Sequence, residues 1–110
     1  MDALVWDAGN QAHLDERNAA RRAAGQREIT RDEINALYDL ADYTTQDVEY
    51  LNRAGWEIQV RLIGRTSEGR FLTVACQVAR DGRFRPVTVW ASAAVEIDLY
   101  WKDTDDNEQA

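Results

Sequence analysis

The chain has 110 residues, 45% of them hydrophobic and 30% charged, which indicates one compact domain and excludes both long disorder and a two-domain enzyme crevice. One cysteine, Cys76, and one histidine, His13, exclude an internal disulfide, a cysteine-rich zinc site and a histidine metal cluster. The net charge of −7 speaks against a general nucleic-acid binder, but the charges are segregated: residues 1–50 carry 11 acids and 5 bases, residues 51–90 carry 3 and 7, and residues 91–110 carry 6 and 1.

The middle third is a basic island in an acidic protein. Twelve of the thirteen bases are arginine, whose planar fork suits phosphates. No stretch approaches the roughly 20 apolar residues of a membrane span, and the opening Met-Asp-Ala-Leu-Val-Trp-Asp lacks the basic and apolar regions of a signal peptide. A cytoplasmic location without membrane contact is the expectation.

In chain order, Leu4-Val5-Trp6 reads as a short edge strand. Residues 8–24 are helix formers without proline, with an apolar side made mostly of alanine, and Gly25 is a natural stop. Thr30 and Glu33 form a capping box, with Ile29 placed to staple to Ile34; Ile34, Leu37, Tyr38 and Ala41 then define the inner stripe of a second helix. Thr44 and Asp47 look like a further cap, which predicts a short helix over 44–55. The period then changes to two: Ile58, Val60 and Leu62 alternate with Gln59 and Arg61, and Leu72, Val74, Cys76 and Val78 share a face of the next strand. Asp81-Gly82 predicts a two-residue hairpin turn with both residues at positive φ. The strand that returns, Phe84 to Trp90, carries Pro86 and so belongs at an edge or a bulge. A last helix, Ala93 to Lys102, presents Val95, Leu99 and Trp101 or Tyr100. The fold class expected is α+β: N-terminal helices packed on an antiparallel β-meander with a C-terminal helix, one domain over 1–102, followed by an acidic disordered tail over 103–110.

Two separated motifs carry a family resemblance. Trp6-Asp7-Ala8-Gly9-Asn10-Gln11-Ala12-His13 resembles the Trp-Asp-x-x-Asn-x-x-His opening of the BrnT toxins, RelE-like ribonucleases of type II toxin–antitoxin pairs. Gly64-Arg65-Thr66-Ser67-Glu68-Gly69-Arg70, followed by an apolar strand, is similar to that family's Gly-Arg-Thr-x-x-Gly-Arg hairpin. Glu96 and Tyr100 match the family's closing Glu-x-x-x-Tyr, whereas Trp90 and Ala93 stand where the family has arginine and a capping threonine. The resemblance implies a RelE-like fold, a metal-independent and cofactor-free endoribonuclease, a cognate antitoxin as partner, and basic residues on the sheet as its active site. It also implies assembly as a homodimer or as a toxin–antitoxin hetero-oligomer.

Ribonucleolytic cleavage of this kind sends the ribose 2′-hydroxyl onto its neighbouring phosphate; it needs cationic groups for the developing charge and a proton acceptor and donor. The candidates are Arg61, Arg65, Arg70, Arg83 and Arg85, which the meander would gather on one face and its turns, with His13 as an acid–base group and Glu96 placed beside Tyr100 to meet the arginines. Trp90 and Tyr100 are the candidates for stacking on RNA or anchoring a partner. Each has a plainer alternative: the arginines a solvated surface, His13 a packing residue, Glu96 and Tyr100 a pair anchoring a helix, Cys76 a small buried hydrophobe. No phosphate loop, nucleophile elbow, zinc spacing or dinucleotide fingerprint is present. The arginine lost at Trp90 keeps a second function in view, a catalytically degenerate BrnT-like fold acting as a protein-binding regulator or decoy.

Overall fold

Helix α1 (Ala8–Ala23) starts at Asp7, whose side chain accepts from Gly9 N (2.9 Å) and Asn10 N (3.1 Å) while Asn10 Oδ1 accepts from Asp7 N (2.8 Å). This reciprocal box satisfies donors that the first turn of a helix leaves free. At the other end Gly25, at φ 71°, allows the chain to turn back with Gln26 N donating to Arg21 O (2.8 Å) and Gly25 N to Arg22 O (3.1 Å). Helix α2 (Arg31–Asp39) opens on the expected box, Glu33 N donating to Thr30 Oγ1 (3.1 Å), with Ile29 and Ile34 both buried.

A computed structural model describes residues 3–109, with side chains as far as Asp103. After the two helices come β1 (Tyr43–Leu51), β2 (Glu57–Arg65), β3 (Phe71–Val78), β4 (Phe84–Ala91) and α3 (Ala94–Gln109). The strands form one antiparallel sheet in the order β1-β2-β3-β4. The architecture is α+β, with N-terminal helices, a meander and a C-terminal helix. No helix among the described residues is long and apolar enough to cross a membrane.

All three strand connections use one four-residue turn. Asn52–Gly55, Thr66–Gly69 and Ala79–Gly82 each close by a bond from the glycine N–H to the first residue's carbonyl (2.8–2.9 Å), and each ends on a glycine at φ 83–84°. The Asp81-Gly82 turn is therefore longer than the sequence reading had it. Only Gly82 takes positive φ; Asp81 stays at negative φ and accepts from Arg83 N (3.1 Å).

The main core lies between the sheet and the first two helices. Leu4, Leu14, Ile29, Ile34 and Leu37 pack on Val60, Leu62, Leu72, Val74, Cys76 and Val89. Burial raises the Cys76 thiol far above its ordinary range and keeps it neutral, in line with a small core hydrophobe. Helix α1 lies along the outer strand β4: Asn10 Nδ2 donates to Pro86 O (2.8 Å) and Val5 O (2.9 Å), and Arg21 to Val89 O (2.5 Å). These side chains supply donors to an edge strand that has no further strand beside it. Pro86 sits, as expected, on that edge and at a register shift opposite Ala75 and Cys76.

Several expectations are corrected. Residues 4–6 do not form a strand; Val5 N donates to Phe84 O (2.9 Å), but Asp7 N turns to Asn10, which stops further pairing. Residues 43–51 are strand β1 and not a helix, because Thr44, Gln46 and Val48 alternate inward against solvated Thr45, Asp47 and Glu49. The inner stripe of α1 is Asn10, Leu14, Asn18 and Arg21, and not the alanines. Val95 and Val78 are exposed, and α3 instead buries Glu96 and Tyr100. That helix also runs on through Gln109, across most of the segment read as a disordered tail; no glycine or proline follows Pro86 to stop it.

Candidate nucleic-acid interface

Arg61 and Arg65 share one face of β2 and both meet α3, Arg70 and Arg83 follow the Thr66–Gly69 and Ala79–Gly82 turns, and Arg85 lies on β4. Each is held by a different carboxylate: Arg61 by Glu96 (3.4 Å), Arg65 by Asp42 (3.4 Å), Arg70 by Glu33 (3.2 Å), Arg83 by Asp81 (2.7 Å) and Arg85 by Asp7 (2.8 Å). Arg70 also donates to Glu28 O (2.9 Å) and Arg27 O (3.3 Å), which pins the loop before α2 to the Thr66–Gly69 turn. Arg65 sits over the Trp101 ring (5.3 Å) and near that of Tyr100 (5.9 Å) midway along α3. The basic island of the sequence is thus neutralised by ion pairs, local at Arg83 and long-range at the other four.

Glu96 and Tyr100 are anchors of α3. Glu96, 4% exposed, accepts from Ala93 N (2.7 Å) and Trp90 Nε1 (3.0 Å) with one carboxylate oxygen and from Arg61 with the other. It reaches back to the N–H of Ala93, the half of a capping box that an alanine at that position still allows. Tyr100 donates its hydroxyl to Asp42 and packs edge-on against Phe71 (5.3 Å). Arg61 also donates to Gln46 (2.5 Å), while its Nε is buried without a partner.

His13 lies elsewhere, in an open groove of about 460 Å³ lined by α1 (His13, Arg17), the end of β1 and its turn (Tyr50 to Ala54), and β4 (Thr88, Trp90). The hairpin β1–β2 brings its tip to the first half of α1: the Trp56 ring lies 5.9 Å from that of His13, and the Arg85 guanidinium is 5.0 Å from the Trp56 centroid. Arg85 is in turn gripped by both oxygens of Asp7 (2.8 and 2.9 Å). That grip, with the Asn10 and Gly9 amides, lowers the Asp7 carboxyl to about 2. Asp7, Asn10 and His13, three residues of one sequence motif, therefore act together: the first starts the helix and fixes Arg85, the second docks the helix on β4, and the third faces the groove.

No family model, curated protein or solved structure matches the chain. Function is read from the groove itself.

Arg17 and Arg53 were not singled out by the sequence reading. Neither has a carboxylate partner among the described residues, and both line the groove that holds His13. A signal for Arg17 was present, since it stands four residues after His13 and so on the same helical face. Arg53 has none beyond its place in a turn. Tyr50 completes the rim; burial raises its hydroxyl above the ordinary tyrosine value. Half-buried Trp90 is neither in the main core nor free, because its indole N–H is tied to Glu96. No acidic residue lines the groove. The groove thus combines an imidazole, two uncommitted guanidinium groups and two aromatic rings, the set that binds phosphates and stacks bases.

Proposed function

We propose that the domain is a BrnT-like endoribonuclease of RelE type whose RNA site is the His13 groove, and that a cognate antitoxin neutralises it by covering that groove. The reading rests on one observation: His13, Arg17 and Arg53 converge beside Tyr50 and Trp90 with no carboxylate among the lining residues. A single strand lays its phosphate between Arg17 and Arg53 and a base on Trp90. His13 takes the proton of the 2′-hydroxyl as its oxygen bonds to phosphorus; the bond to the 5′-oxygen breaks, and that oxygen takes a proton from water in the open groove. Arg17 and Arg53 hold the charge that grows on the phosphoryl oxygens. Arg61, Arg65 and Arg85, held by carboxylates, keep structural roles in this scheme.

A second reading has its own support. The sheet arginines that the family resemblance makes catalytic are each paired with an acid, and Trp90 replaces one of them. This fits a regulator or decoy that binds a protein partner and does not cleave RNA. One experiment separates the two: single-stranded RNA is titrated with the protein and its integrity followed over the same samples. A ribonuclease binds and cuts; His13→Gln keeps binding within about twofold and slows cutting by 100-fold or more, the usual worth of an acid–base group. Arg17→Ala and Arg53→Ala each weaken binding. RNA that stays whole rejects the ribonuclease, and a protein partner whose binding is lost in Trp90→Ala selects the regulator or decoy.

A further inference from the structure

A second groove, of about 690 Å³, opens on the other side of Arg17 and Trp90, which line both grooves. Its wall is the later half of α1 with Ala20, Arg21 and Ala24, its far end is Arg27 and Arg70, and no carboxylate lines it. Ala20 and Ala24 are one helical turn apart, so an extended chain can approach the helix closely there. Arg21 has no carboxylate partner among the described residues; it donates to Asn18 Oδ1 (2.9 Å) and Val89 O (2.5 Å). Burial lowers its pKa, and the charges of Arg17 and Arg70 lower it further, so four arginines bring positive charge together here, with only Arg27 and Arg70 paired to acids. Arg27 is 56% exposed and held only to Glu68, itself 67% exposed. Such a pair is readily exchanged for a phosphate.

We propose, building on the RNA reading of the His13 groove, that the two grooves form one track for single-stranded RNA, in which the strand passes Trp90 beside Arg17 and lays its next phosphates against Arg27 and Arg70. Trp90 then lies at the middle of the track and offers its ring to one base, while Arg17 serves the phosphates on both sides. A duplex is disfavoured, because its bases are paired and stacked on one another and cannot turn onto an indole ring.

The test compares labelled oligouridylates of about 4 and about 8 nucleotides, lengths within the range of known single-strand sites, in 50 and 200 mM salt. Each single-strand phosphate contact adds about 0.7 to the salt slope, so two further contacts make the longer strand lose about sevenfold more affinity over that fourfold change of salt. Arg27→Ala and Ala24→Glu, both at exposed positions, remove most of that length-dependent gain and leave the shorter strand bound as before. If the shorter strand binds but the longer one binds no better and with the same slope, the second half of the track is wrong while the His13 site stands. If neither length binds, both fail. Equal binding of polyglutamate, or of a duplex of the same length, overturns the single-strand RNA assignment.

Discussion

Replacing Asn10 by alanine tests the joint between the first helix and the sheet. The side chain is 1% exposed and makes three hydrogen bonds: Nδ2 to Val5 O and Pro86 O, and Oδ1 from Asp7 N. Its removal leaves two carbonyls and an N–H with no side chain to meet them, in a site closed to water. At about 1 kcal/mol net per bond, with a share of the desolvation cost of the orphaned groups, the loss is about 3–4 kcal/mol. A domain of 110 residues unfolds with an entropy of about 0.23 kcal/mol/K, so the midpoint of thermal unfolding falls by about 15 °C. Circular dichroism melts and urea titrations at neutral pH measure both, and an unchanged urea slope shows that the same surface is exposed. Asn10→Asp is the sharper control. It keeps the acceptor for Asp7 N but turns oxygens toward two carbonyl oxygens, and it destabilises at least as much. A loss below about 1 kcal/mol for Asn10→Ala would refute the assignment of this residue as the joint.

Other outcomes follow from single contacts. The Asp7 carboxyl, lowered to about 2 by Arg85 and two amides, contributes stability that is fully present above its unfolded value near 3.8 and is lost as pH falls from about 4 to about 2. With the side chain 45% exposed, screening leaves about 1 kcal/mol; Asp7→Asn, which keeps a capping group, flattens the acid limb of stability against pH, and an unaltered limb sinks the pairing. Thr30→Ala removes the acceptor for Glu33 N and costs about 1 kcal/mol, read from the urea midpoint. Gly64→Ala places a Cβ 2.5 Å from Asp42 O and 2.9 Å from Leu37, closer than any real contact. Overpacking of this kind costs about 1–3 kcal/mol, and a variant as stable as the parent would mean that the link between α2 and β1 gives way freely.

The elements legible in the sequence were those whose signal is local. The Thr30 box, the Gly25 stop and the period-two run through Ile58, Val60 and Leu62 need only neighbours along the chain, and all three stand. Strand β1 was misread because an edge strand buries little: only Thr44 counts as buried in it, and Val48 and Leu51 fall by accident at helical spacing. The buried stripe of α1 was misread because asparagine and arginine are taken for surface residues unless the carbonyls of β4 are known to lie against them. The candidate site suffered most. Arg61 and Arg85 are separated from Glu96 and Asp7 by 35 and 78 residues, and no spacing rule announces which acid will neutralise which base. His13 was found from its chemistry and from the opening motif, whereas Arg53 acquires meaning only when the hairpin tip meets the helix.

The repeated four-residue turn also bears on how the protein assembles. Each strand pairs with the one that follows it, so the sheet closes through three short loops and can zip from any of its hairpins at small entropic cost. Helix α1 has no such advantage: Asn10 meets Pro86 across 76 residues and Arg21 meets Val89 across 68. Its docking comes late on the folding path, with small φ-values for Asn10 and Arg21 beside larger ones in the β2–β3 hairpin. The wall that carries His13 and Arg17 is therefore the last part of the molecule to be built and the first to open. A chain caught before that step has its sheet but no groove, and the exposed edge of β4 is then free to pair with another chain.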